Sequence, residues 1–121
     1  MRIFKTPSFQ KDLAGSGLVD SDLIAAVREI EAGLVDAHLG AELLKKRIAR
    51  ANGGKSGGYR SIVAYRQADR LFFLHLFAKN EKSNVTKKDL AVLKALAKAY
   101  MSMSAGQLDR ALAAQVLLEV E

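Results

Sequence analysis

Leu43-Leu44-Lys45-Lys46-Arg47-Ile48-Ala49, then Asn52-Gly53-Gly54-Lys55-Ser56-Gly57-Gly58, then Tyr59-Arg60-Ser61-Ile62-Val63-Ala64-Tyr65-Arg66 is the stretch whose reading decides the fold. Its period is two: in an extended chain Leu44, Lys46 and Ile48 point one way, while Lys45, Arg47 and Ala49 point the other. The middle segment holds four of the chain's nine glycines and reads as a loose hairpin connection. A third extended run, Leu71 to Ala78, follows through Gln67-Ala68-Asp69-Arg70 and is apolar on both faces except at His75, as a central strand is.

Working outward, residues 2–6 read as a first strand ended by Pro7, which has no backbone donor. Ser8 is placed to cap a helix over residues 8–14, stopped by Gly15-Ser16-Gly17. A second helix over residues 21–33, capped by Asp20 or Ser21, buries Leu23, Ile24, Val27, Ile30 and Leu34 and ends at Gly33. Downstream, Thr86 caps a helix with Asp89 in the capping-box position and Leu90, Leu93, Leu96, Ala97 and Tyr100 as its stripe. A last helix is expected over residues 105–119. The order predicts an α+β fold with helices packed on one face of a small, mostly antiparallel sheet, leaving the other face open to a ligand.

The chain's 121 residues are enough for one domain with a core, and half of them are hydrophobic. No cysteine is present, which excludes a disulfide framework and a thiolate zinc site. The charged start Met1-Arg2-Ile3-Phe4-Lys5 is unlike a secretory signal, and no run approaches the roughly 18 apolar residues of a membrane span, so a cytoplasmic protein without membrane contact is expected. The net charge of +6 is unevenly spread: residues 1–40 carry 4 basic and 6 acidic groups, residues 41–88 carry 12 and 3, and residues 89–121 carry 3 and 4. No acid occurs between Glu42 and Asp69, where Lys45, Lys46, Arg47, Arg50, Lys55, Arg60 and Arg66 all fall. A one-signed stretch of this length asks for an anionic partner.

Lys45 and Arg47 share a strand face, Arg60 opens the next strand and Lys79 ends the one after, so a closed hairpin brings these cations together as a phosphate site. Spacing alone leaves catalysis and simple nucleic-acid binding equally open. Tyr59 is placed either to stack on a base or to pack under the hairpin, and its position beside Arg60 slightly favours stacking. His75 reads as a core histidine and His38 as a loop residue; two histidines without cysteines or clustered carboxylates indicate no metal site. Lys55-Ser56 lacks the spacing of a P-loop.

Taken together, Leu44-Lys45-Lys46-Arg47-Ile48-Ala49, Gly54-Lys55-Ser56-Gly57-Gly58-Tyr59-Arg60 and Phe77-Ala78-Lys79-Asn80-Glu81-Lys82-Ser83-Asn84 resemble the RelE/HigB-like toxins of bacterial type II toxin–antitoxin systems, most closely the HigB-type branch. The resemblance implies a RelE-like, microbial-ribonuclease type of fold over residues 1–100, with residues 101–121 as a helical extension packed on the same domain and available to an antitoxin or a second copy. It implies an mRNA interferase: an endoribonuclease that enters the ribosomal A site, meets ribosomal RNA and cuts mRNA there by 2′-OH attack, with no metal and no cofactor. The family's Lys-x-Lys strand matches Lys45 and Arg47, its strand arginine matches Arg60, and its Gly-Lys-Arg-Glu turn matches Ala78-Lys79-Asn80-Glu81. The chain departs from the family in having Asn80 where an arginine follows the turn lysine, and Thr86 near where a tyrosine is frequent. The expected catalytic set is Lys45, Arg47, Arg60, Lys79 and Glu81, and the expected RNA-binding set is Lys46, Arg50, Lys55, Tyr59, Arg66, Asn80 and Lys82. The implied partner is an antitoxin, a helix-turn-helix protein encoded beside the toxin, that covers the basic groove. The same fold also serves gyrase-poisoning toxins, so a non-catalytic toxin or nucleic-acid-binding module is the alternative.

Overall fold

Four strands form an antiparallel run and a fifth and sixth complete the sheet. The computed structural model describes residues 1–49, 58–78 and 85–121. The elements in chain order are β1 Arg2–Lys5, α1 Pro7–Ala14, α2 Asp20–Glu31, β2 Ala37–Gly40, β3 Leu43–Ile48, β4 Tyr59–Arg66, β5 Arg70–Ala78, α3 Lys87–Met101, α4 Ala105–Ala113 and β6 Leu118–Glu119. They build one six-stranded sheet in the order β2-β3-β4-β5-β1-β6. Among the described residues only the β1–β5 pairing is parallel. The fold is therefore α+β with a mostly antiparallel sheet.

The expectation of helices on one sheet face is corrected. Leu44 and Ile48 of β3, Val63 of β4, and Leu71, Phe73 and Leu76 of β5 pack with Phe9, Leu13, Leu23, Val27 and Ile30 of α1 and α2. On the other face Leu43, Ile62, Ala64, Phe72, Leu74 and Phe77 pack with Leu93, Ala97 and Met101 of α3 and Leu108 and Ala111 of α4. A strand apolar on both sides needs two covers, since each buried Leu or Phe contributes about 1.5–3 kcal/mol. β5 is such a strand.

Local chemistry explains the helix boundaries. The Thr6 hydroxyl accepts from Phe9 N at 3.1 Å with Pro7 at the first helical position, so Thr6, and not Ser8, caps α1. At α2 the carboxylate of Asp22 accepts from Val19 N at 2.9 Å, displacing Asp20 and Ser21 from the capping role. Thr86 caps α3 as expected, accepting from Asp89 N at 3.1 Å.

Two elements escape the sequence pattern. Ala37–Gly40 is an edge strand against β3, where a loop was expected, and it leads into a turn with positive φ at Gly40, Ala41 and Glu42. The expected helix over residues 105–119 ends at Ala113; Gln115 takes a φ of 59°, and the chain returns as β6 to pair with β1. Leu117 and Val120 are buried by that reversal, and Arg2 locks it by bonding Glu119 at 3.0 Å and Asp109 at 3.1 Å. No helix among the described residues is long and apolar enough to cross a membrane.

Candidate functional site

The strand register lays the basic residues out in rows. Arg47 of β3 lies opposite Arg60 of β4, which lies opposite Phe77 of β5; one row further on, Lys45 lies opposite Ile62 and Ile62 opposite His75. Directly opposed residues share a face, with Cβ atoms about 5 Å apart, so Lys45, Arg47, Arg60 and His75 form one patch. Its face is the one that α3 and α4 cover farther along. Arg66 and Arg70 bond carbonyls of Tyr100, Met101 and Met103 at the α3 C-terminus, so the helix runs back toward the Ala78 end of β5.

Within the patch the exposures differ. Arg47 is exposed, Lys45 is half-buried, and the Arg60 side chain is only 17% exposed. The nearest counter-charge to Arg60 is Asp36, with Oδ2 4.0 Å from Nε. Arg60 Nη1 is buried and makes no hydrogen bond among the described residues. Two like charges facing each other across a ladder repel, and a buried guanidinium N–H without an acceptor costs about 1–3 kcal/mol.

His75, read from sequence as a core residue, belongs to this patch. Strict alternation would put it with Leu71 and Phe73 on the α1/α2 face. The β4–β5 register skips one residue, however: Ile62 pairs with His75 and Val63 with Phe73, leaving Leu74 as the extra residue of a bulge. Beyond the bulge the faces exchange. Leu76 joins the α1/α2 core, while the His75 ring stacks on Phe77 with centroids 5.4 Å apart. Nothing in the residue pattern marks that bulge.

Three of the expected RNA contacts lie away from this patch. Lys46 is buried on the opposite face, where its ammonium bonds Glu29 at 2.9 Å and the Leu34 carbonyl at 2.9 Å. Tyr59 lies on that same opposite face, packed against the α1/α2 core and lining a hollow with Lys11, Asp12 and Ser16. Arg66 sits at the far end of β4 in a two-pronged bond to Glu42 at 2.8 and 2.9 Å, which raises its guanidinium above the ordinary arginine value. Part of the unbroken basic stretch is thus structural, because Lys46 and Arg66 satisfy backbone carbonyls, as does Arg70 just beyond it. Arg50, Lys55, Lys79, Asn80, Glu81 and Lys82 lie outside the described residues. Among the described residues no group of three His, Asp or Glu is placed to hold a metal ion.

The chain is thus an α+β protein whose two-sided sheet brings Lys45, Arg47, Arg60 and His75 onto one face. The family model described as RelE toxin of RelE / RelB toxin-antitoxin system matches residues 1–120, and the chain belongs to that family. It is a toxin of a toxin–antitoxin system, and such a system implies a cognate antitoxin as its partner. Comparison with curated proteins finds no match.

Proposed function

We propose that the protein is a ribosome-dependent mRNA endoribonuclease of the HigB type, acting in the cytoplasm by metal-independent transesterification. The observation that carries this reading is Arg47 facing Arg60 across the β3–β4 ladder with Lys45 on the same face, three cations whose nearest carboxylate among the described residues, Asp36, stands 4.0 Å from Arg60 Nε. The RNA 2′-oxygen attacks the adjacent phosphorus and gives up its proton; the P–O5′ bond breaks, and the 5′-oxygen takes a proton. The products are a 2′,3′-cyclic phosphate and a 5′-hydroxyl. Arg60 holds the scissile phosphate, and Lys45 and Arg47 clamp it and offset the extra negative charge of the phosphorane. Alignment of the message in the A site, against ribosomal RNA, supplies the in-line geometry.

Proton transfer falls to Lys79 or Glu81 on the sequence match, and His75 joins them as an imidazole on the same face as Arg60. Arg50, Lys55, Asn80 and Lys82 remain proposed RNA contacts. Residues 101–121 stand as a proposed part of the same domain, with the family match running to residue 120.

Mapping RNA ends in translating cells after induction tests the reading. New 5′-hydroxyl ends inside codons of translated messages are expected, and Arg60→Ala should remove both these ends and the growth arrest. DNA breaks with intact messages would instead indicate a gyrase poison, and full toxicity of Arg60→Ala would overturn the site.

A further inference from the structure

Helix α3 displays more apolar surface than its core contacts use. Leu93, Ala97 and Met101 are buried against the sheet, with Leu90 and Tyr100 packed beside them. On the opposite side Val92, Ala95, Leu96 and Ala99 form an exposed band at i, i+3, i+4 and i+7, with Val92 56% and Leu96 36% exposed. At 100° per residue, Lys87, Lys94 and Lys98 fall within about 40° of one another along one edge of that band. None of these lysines has an ion-pair partner among the described residues. Beyond the lysine row a groove of about 510 Å³ opens between α3 and the turn after β2, lined by Ala41, Glu42, Arg66, Lys94, Lys98 and Met101. Glu42 is already engaged by Arg66, so the groove keeps a positive balance.

We propose that this band, lysine row and groove dock an acidic amphipathic helix of the cognate antitoxin. Its apolar stripe covers Val92, Ala95, Leu96 and Ala99, and carboxylates along its flank meet Lys87, Lys94 and Lys98. Charge complementarity selects this occupant. A second copy of the chain would set lysines against lysines, and RNA would engage the lysines while leaving Val92 and Leu96 with nothing to pack on. The groove lies at the Arg66 end of β4, about 20 Å along the strand from Arg60 at 3.3 Å per residue. The inference rests on membership of the toxin family and is independent of the nuclease reading.

The test uses the full chain and the protein encoded beside it. In calorimetric titration, Leu96→Asp and the double variant Lys94→Glu with Lys98→Glu should each weaken binding at least tenfold. Both should retain the growth arrest of the wild type, while co-expression of the neighbour no longer lifts it. Circular dichroism controls for folding. As a second measurement, Ala99→Cys in this cysteine-free chain takes a single solvent-sensitive fluorophore, which should shift to the blue when the neighbour is added. Unchanged affinity in both folded variants, or a fluorophore that does not respond, would overturn the proposal. So would loss of RNA binding in the lysine variant with antitoxin binding intact. A toxic Arg60→Ala would sink the nuclease reading and leave these binding results untouched.

Discussion

Lys45, Lys46 and Arg47 are consecutive cations with separate fates, because a strand sends neighbours to opposite faces. Lys46 serves the fold: its ammonium ties β3 to Glu29 of α2 and to the carbonyl of Leu34. Lys46→Ala should therefore cost about 1–3 kcal/mol, read as a lower urea midpoint at unchanged slope, with RNA cleavage per folded molecule preserved. Arg60→Ala should do the reverse, abolishing growth arrest with a Tm within about 4 °C of the wild type, since it removes a charge already facing Arg47. The positions of Lys45, Arg47 and Arg60 were legible from period and charge. His75 was not, because its face depends on one residue of slippage between β4 and β5.

The helices show where local signals suffice. Thr86 announces α3 by its side-chain chemistry, and the structure has it accepting from Asp89 N. Thr86→Ala should cost about 1 kcal/mol by chemical denaturation. Near the other end of α3, Tyr100 stacks on Phe72 with centroids 4.8 Å apart, and burial pushes its phenol above the ordinary value. The folded state thus prefers the protonated phenol. The resulting stability is complete below the unfolded phenol's pKa of about 10 and is lost as pH rises through it toward the higher folded value. Tyr100→Phe should flatten this alkaline loss, followed as Tm against pH. Strands β2 and β6 were illegible for the opposite reason. Four and two residues carry no readable period, and each strand exists through its pairing with β3 or β1.

For the molecule as a whole, the C-terminal reversal closes the fold. Ending the chain after Ala114 removes Leu117 and Val120, both nearly fully buried, and the Glu119 partner of Arg2. At about 1.5–3 kcal/mol per buried side chain, this truncation should lower stability enough to shift the Tm well below the wild type in a melting experiment. Binding to single-stranded RNA should weaken with salt. If Lys45, Arg47 and Arg60 each meet one phosphate, the log–log slope is about −2 from these three, and Arg47→Ala should reduce its magnitude by about 0.7. The amino-acid sequence alone sets the excess of positive charge, its confinement to residues 41–88 and the strand period that lines up Lys45 and Arg47, since these follow from content and order along the chain. Three-dimensional pairing settles which cations remain available. It buries Lys46, spends Arg66 and Arg70 on helix-end carbonyls and places His75 on the sheet face that carries Arg60, because strand register and ion pairing join residues whose sequence neighbours say nothing of their contacts.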